Sequence, residues 1–149
     1  MTYKPITEVD HENNIVLNFG KHSFDFFLPD TFNLSENDIA DSTTYINSEY
    51  KSTLTIYFYT LEAGTKIYET NKNMILSTEM VQKLDTVKQD NASWNTYRHI
   101  SKSGNLFQAI GIKYMGDSSL LYEFVCPNSN SETLYKMFKE AIISAKRID

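Results

Sequence analysis

Three histidines, one cysteine and a small group of carboxylates are the residues of this chain whose side chains could carry out chemistry. His11, His22 and His99 form no i,i+4 pair and have no cysteine at the spacing of a zinc site. Cys126 lies on the apolar side of an alternating run, which predicts a buried small hydrophobe rather than a reactive thiol. We therefore predict no metal, no cofactor and no redox role.

The carboxylates Asp38, Asp41 and Glu49 lie close together in the sequence. Paired carboxylates act as acid and base when burial raises the pKa of one of them, and nothing apolar surrounds these three. The sequence has no G-x-S-x-G, G-x-G-x-x-G or G-x-x-x-x-G-K-[ST] motif. A serine–histidine–aspartate triad is defined by geometry and stays open at this point. The prediction is that the chain is not an enzyme.

Aromatic side chains give the strongest indication of a binding surface. Tyr57 and Tyr59 have one parity in a predicted strand, and Tyr97 and His99 share that parity in another. They predict a tyrosine-rich patch on the sheet face away from the helices, and tyrosine suits interfaces because it buries a large ring and keeps a polar tip. Two interpretations remain open. The patch binds another protein, or the rings pack under a loop or the N-terminal arm as a second small core.

If the patch is an interface, the acidic group Asp38, Asp41 and Glu49 at its margin favours a basic protein partner. The 149 residues include 14 Lys and Arg against 19 Asp and Glu, and this net charge of −5 argues against nucleic acid as the partner. The terminal helix lacks the long apolar run that membrane insertion needs. Met1 to Pro5 shows no secretory signal, so we expect a cytoplasmic protein, or a periplasmic or envelope one if a signal has been removed.

The length fits one domain, residues 1–149, and the hydrophobic pattern predicts an α+β fold. The expected architecture is an antiparallel β-sheet of about six strands with two helices packed on one face. The predicted elements are an irregular N-terminal arm (1–13), a hairpin (15–19 and 24–28), an acidic loop (30–41), two strands (43–47 and 53–60), a helix (about 65–85), a three-stranded meander (94–102, 106–114 and 119–126) and a helix that a Ser129–Glu132 capping box opens and that runs to Ile148.

Three landmarks in this order of elements resemble the PsbP-like fold superfamily. They are the strand end Phe24-Asp25-Phe26-Phe27-Leu28-Pro29, the strand-to-helix segment Leu61-Glu62-Ala63-Gly64-Thr65, and the tail Ser144-Ala145-Lys146-Arg147. The superfamily includes PsbP, bacterial DcrB-related proteins, a Ran-binding factor of nuclear transport and the effector-associated chaperones of type VI secretion. The likeness covers residues 14–148, although Phe32 stands where the family's P-x-x-W continuation has tryptophan. It implies non-enzymatic work, mostly docking to another protein.

Three functional hypotheses follow. The first is a cytoplasmic immunity protein or secretion-associated chaperone that occludes an effector or toxin polypeptide through the tyrosine patch. The second is a DcrB-type module of the cell envelope whose signal has been removed. The third is a small molecule binder or hydrolase with a crevice between sheet and helices, for which the sequence offers no convergent polar residues.

Overall fold

Residues 3–10, 14–35 and 40–149 are described by the computed structural model, and their strands pair antiparallel throughout. The elements are β1 (Pro5–Val9), β2 (Ile15–Phe19), β3 (His22–Phe26), β4 (Asn33–Ser35), β5 (Ser42–Asn47), β6 (Ser52–Thr60), α1 (Leu61–Leu76), β7 (Val81–Gln89), β8 (Ala92–His99), β9 (Leu106–Met115), β10 (Ser118–Pro127), a 3₁₀ turn (Asn128–Asn130), α2 (Ser131–Ser144) and β11 (Lys146–Arg147).

The strands of the described residues form two sheets, with the orders β1-β2-β3-β11 and β4-β5-β6-β10-β9-β8-β7. The α+β class with antiparallel sheets and two helices is therefore confirmed. The larger sheet has seven strands, and the strands of the predicted opening hairpin lie in a separate four-stranded sheet instead of joining it. Strand β10 is the central strand of the larger sheet, which explains why large side chains occupy both of its faces.

The two helices cover opposite faces of the seven-stranded sheet, so the expectation that both pack on one face is wrong. Leu134 and Phe138 of α2 join a buried cluster with Tyr122 of β10, and this cluster also contains the inward residues of the four-stranded sheet. Tyr68 of α1 belongs to a second cluster that contains Leu121 of the same strand. Because successive residues of a strand point to opposite faces, β10 serves both helices. We call the two surfaces the α1 face and the α2 face.

Helix α1 is shorter than predicted and begins earlier. Thr60 caps it by accepting a hydrogen bond from the Ala63 backbone N–H at 3.3 Å. At the other end the hydroxyls of Ser77 and Thr78 donate to the carbonyl oxygen of Met74, which competes with further helical pairing. Residues 81–89, expected in part as helix, form the edge strand β7 and pair with β8.

The two ends of the described chain pair into the smaller sheet. Strand β1 pairs with β2, so the expectation of an irregular arm is wrong for Pro5–Val9. Helix α2 keeps the predicted apolar stripe, but it begins at Ser131 without a side-chain cap, so the predicted capping box does not form. The chain turns extended at Ala145, and Lys146–Arg147 pairs with β3 instead of continuing the helix.

Candidate functional site

A cavity of about 410 Å³ lies on the α1 face, between helix α1 and the strands β6, β10 and β9. We call it the α1 cleft. The residues that line it include Tyr57, Tyr59, Ile67, Met74, Gln108 and Glu123. A volume of this size falls within the range of about 300 to 1,000 Å³ that is usual for ligand pockets.

Helix α1 forms the wall of the cleft, and its fit to the sheet changes along its length. Near its start Gly64 is pressed on β10, where a Cβ atom would lie 3.0 Å from Ser119 Cβ and 3.1 Å from Leu121 Cδ1. One turn later Tyr68 is buried. Near the end Met74 is 61% exposed although it lines the cleft. Close contact at the N-terminal half and exposure at the C-terminal half leave the cleft open to solvent.

Two stacked tyrosines form one side of the cleft. The rings of Tyr57 and Tyr59 have centroids 6.3 Å apart and planes inclined by only 14°, and both side chains are half-buried. Partial burial raises the pKa of each phenol above its usual value, and the neighbouring carboxylates Glu123 and Asp41 raise it further for Tyr57 and Tyr59 respectively. Both hydroxyls are therefore neutral at physiological pH and can donate hydrogen bonds.

Glu123 places a carboxylate on the floor of the cleft, in the central strand of the sheet. It pairs in register with Thr55 of β6 and Ile110 of β9, and Tyr57 and Gln108 are its diagonal neighbours. Its side chain is exposed, and within residues 3–10, 14–35 and 40–149 no basic group forms an ion pair with it. Nor does any Lys or Arg of this part of the chain line the cleft.

A second cavity, of about 400 Å³, adjoins the N-terminus of α1, and Tyr59 lines both cavities. Its acidic residues are already engaged. Asp41 Oδ1 accepts a hydrogen bond from the Tyr3 backbone N–H at 2.6 Å, and Asp117 lies 2.7 Å from Arg147 Nη1. The Arg147 pairing holds the pKa of Asp117 below its usual value. The second cavity thus has less unpaired charge to offer a ligand than the α1 cleft.

The four aromatic residues predicted to share a sheet face do share it, but that face is the one that α1 covers. Tyr97 is fully buried beneath the helix in the cluster that contains Tyr68. His99 Nε2 lies 2.6 Å from Oε1 of Gln108, which places the imidazole at the margin of the cleft. Of these four residues, only Tyr57 and Tyr59 line the cleft, whereas Tyr97 is covered by the cluster that contains Tyr68.

The predicted acidic margin is divided by the fold. Asp41 lies beside Tyr59 at the end of the cleft, in a left-handed conformation with φ of 61°. Glu49 is exposed in the turn beyond the closing pair of the β5–β6 hairpin, eight residues before Tyr57 in the sequence and about 20 Å from it along the strand. Asp38 lies outside the described residues. Of the two carboxylates that the structure describes, Asp41 is the one next to the tyrosine pair.

Sequence reasoning missed Glu123, Met74 and Gln108 as cleft residues. The signal for Glu123 was present, since it is the single charged residue in the otherwise apolar run Leu120–Cys126. Interpreted as a half-buried strand, this run places Glu123 in bulk solvent. Its position opposite α1 becomes apparent only when β10 is the central strand and the helices take opposite faces.

The described ranges contain no group of three or more His, Cys, Asp or Glu side chains that could hold a metal ion. Neither helix of this part of the chain is long and apolar enough to cross a membrane.

The comparisons with known proteins place this architecture in the class of Mog1p/PsbP-like α+β folds. The Ran-binding protein Mog1p of Saccharomyces cerevisiae superposes with a TM-score of 0.60 at 9% identity, over 96% of this chain and 95% of Mog1p. LpqN of Mycobacterium tuberculosis, described as involved in cell envelope biogenesis, gives a TM-score of 0.57 at 8% identity, over 98% of this chain and 91% of LpqN. No protein-family model and no curated protein sequence matches. At these identities the likeness shows the fold alone.

Proposed function

We propose that the chain is a non-enzymatic protein-binding domain and that the α1 cleft is its binding site. The observation that carries the proposal is the stacked pair Tyr57 and Tyr59, which lies half-buried beside an open cleft on a face that α1 otherwise covers. Stacked rings of this kind offer a large, rigid contact area at low entropic cost, and tyrosine is enriched in the centres of interfaces. Binding would act by occlusion, one copy per partner, without turnover.

The partner we favour is an effector or toxin polypeptide, which would make the chain an immunity protein or a secretion-associated chaperone. The fold is compatible with a protein partner, since Mog1p, which has the same fold, is a Ran-binding protein. The envelope alternative has a fold neighbour as well, in LpqN. The choice between the two roles depends on the partner of this chain.

The test is a comparative affinity capture from native lysate with the tagged wild type, Tyr59→Ala and the matched control Tyr50→Ala. Tyr50 is also half-buried, but it lies in the β5–β6 turn and does not line the cleft. We expect one near-stoichiometric protein that the wild type and the control retain and that Tyr59→Ala loses, with the melting temperatures of the two variants close to each other. Equal retention by Tyr59→Ala and by a second cleft variant, Met74→Lys, would refute the site.

A second candidate function is small molecule binding in the same cleft, which its volume of about 410 Å³ and its mixed aromatic and apolar lining favour. This candidate predicts a saturable rise in melting temperature with one class of compound and loss of the rise in Tyr57→Ala. A compound library that leaves the melting temperature of the wild type unchanged would count against it.

A further inference from the structure

We propose that the α1 cleft accepts an arginine or lysine side chain of the partner polypeptide, which lies across the Tyr57 and Tyr59 rings and pairs with the carboxylate of Glu123. This inference rests on the proposed function, since it specifies what the partner must present to the same site. Three features of the structure support it: the position of Glu123, the geometry of the rings and the distribution of charge around the cleft.

The position of Glu123 makes a neutral partner unfavourable. The residue projects from the central strand between Thr55 and Ile110, so a protein that fills the cleft must cover its carboxylate. Covering a carboxylate is strongly unfavourable unless a cation or hydrogen-bond donors replace the lost water. A cationic side chain supplies both the charge and the donors. A partner with an apolar side chain at this point would leave the carboxylate buried and unpaired.

The rings of Tyr57 and Tyr59 and their apolar neighbours can contact both the alkyl chain and the cationic group of an arginine or lysine. A cation lies favourably over an aromatic face within about 6 Å of its centroid, and the alkyl stem packs on apolar neighbours such as Ile67 and Met74. The chain itself uses this contact twice elsewhere. Lys72 Nζ lies 4.8 Å from the centroid of the Tyr68 ring, and Lys139 Nζ lies 4.7 Å from that of Tyr135.

In the described part of the chain, no basic side chain in the lining of the cleft competes with a cation that the partner brings. Lys72, which lies on α1, is already engaged by Glu69 at 2.8 Å and by the ring of Tyr68. Among the described residues that line the cleft, Glu123 is the one that carries a formal charge. An incoming cation would therefore meet one carboxylate and no repelling neighbour within the lining, which favours basic over acidic partners.

The experiment is a titration of the full-length ¹⁵N-labelled protein, followed by amide chemical shifts. The probe is a tripeptide of leucine, arginine and leucine, blocked at both ends, and its matched control contains neutral citrulline in place of arginine. We expect shift changes at Tyr57, Tyr59 and Glu123 with the arginine peptide, at least about tenfold weaker binding of the citrulline peptide, and a similar loss in Glu123→Gln. The affinity should also fall as salt is added.

Equal binding of the two peptides, unchanged binding by Glu123→Gln, or no arginine-dependent shift at millimolar peptide would each overturn the inference. The capture experiment separates this failure from that of the proposed function. If Tyr59→Ala loses the captured protein but Glu123→Gln keeps it, the cleft is a protein-binding site without a cation subsite. If Tyr59→Ala and Met74→Lys also keep it, both proposals fail together.

Discussion

Replacing Gly64 by alanine tests whether α1 is pressed on the sheet as the structure has it. Helix propensity alone favours the change, because alanine is better than glycine in a helix by roughly 1 kcal/mol. Against this gain, the new methyl group would lie 3.0 Å from Ser119 Cβ and would also contact the Ser119 hydroxyl. That hydroxyl is buried and donates to the Thr60 carbonyl oxygen at 3.2 Å.

Relief of the contact requires either a change in the Ser119 side chain or a shift of α1. Loss of the hydrogen bond costs about 1 kcal/mol, and overpacking of a buried contact costs about 1 to 3 kcal/mol. With both costs set against the propensity gain of roughly 1 kcal/mol, the net expectation is a loss of about 1 to 3 kcal/mol in the free energy of unfolding. The gain in helix propensity is thus outweighed. The measurement decides whether Gly64→Ala lowers or raises the free energy of unfolding.

The assay is urea unfolding followed by the fluorescence of Trp94, the chain's single tryptophan, which is buried and donates its indole N–H to the Tyr135 hydroxyl at 2.8 Å. A double-mutant cycle with Ser119→Gly removes the Ser119 atoms and leaves only the flexible end of the Leu121 side chain near the new methyl group, so in that background Gly64→Ala should be neutral or stabilising. Thr65→Ala, at the exposed next position, is the control and should change stability little. If Gly64→Ala proves more stable than the wild type, the close approach of α1 to β10 is wrong.

Three further predictions concern stability. Burial raises the pKa of the Cys126 thiol to about 12, so the stability that the protonated thiol contributes is fully present below pH 9 and is lost from pH 9 toward 12, at up to about 1.4 kcal/mol per pH unit. Cys126→Ala should therefore make the loss of stability between pH 9 and 10 less steep. Lys113 donates to two carbonyl oxygens in the last turn of α2 at 2.7 and 2.6 Å, so Lys113→Met should lower the urea midpoint by an amount equivalent to about 2 kcal/mol, while the exposed Lys146→Met should not. Thr60→Ala removes the N-cap of α1 and should cost about 1 kcal/mol in thermal unfolding, an expectation that an unchanged melting temperature would contradict.

The elements that could be predicted from the sequence are those whose own residues determine them. The meander β8-β9-β10 follows from alternation and from short glycine-containing loops, and the stripe of α2 follows from Leu134, Phe138 and Ala141 at three- and four-residue spacing. The end of α1 did not follow. Met80 and Val81 fit a helical period equally well, and the left-handed backbone at Met80, with φ of 64°, is a property of the turn into β7.

The arrangement of the elements depends on pairings that local patterns do not contain. The Lys146–Arg147 segment is typical of a basic helix end, yet it pairs with β3, and Arg147 also forms ion pairs with Asp117 and Asp149 at 2.7 and 3.0 Å. For the candidate site, parity predicted that Tyr57 and Tyr59 point to the same side. Parity could not predict that α1 packs on the same face of the sheet as these tyrosines. Because α1 packs there, the tyrosines line a cleft instead of an open patch.

A substitution at Tyr97 tests whether the part of the tyrosine face that α1 covers takes part in binding, as the cleft is proposed to do. Its hydroxyl is buried and forms no hydrogen bond within the described part of the chain, whereas the Tyr68 hydroxyl beside it accepts one from Asn95 Nδ2 at 2.8 Å. Removing an unpaired buried hydroxyl relieves a desolvation cost, so Tyr97→Phe should be neutral or stabilising by about 1 kcal/mol, while Tyr68→Phe leaves the buried Asn95 donor unpaired and should destabilise by a similar amount.

Binding gives the second half of this test. If α1 stays in place when the partner binds, Tyr97→Phe should capture the partner as the wild type does, since the ring is fully buried beneath the helix. Loss of the partner in Tyr97→Phe, with stability unchanged, would mean that α1 moves away on binding and exposes the whole tyrosine face. The interface would then include Tyr97 as well as Tyr57 and Tyr59, and the restriction of the site to the α1 cleft would be refuted.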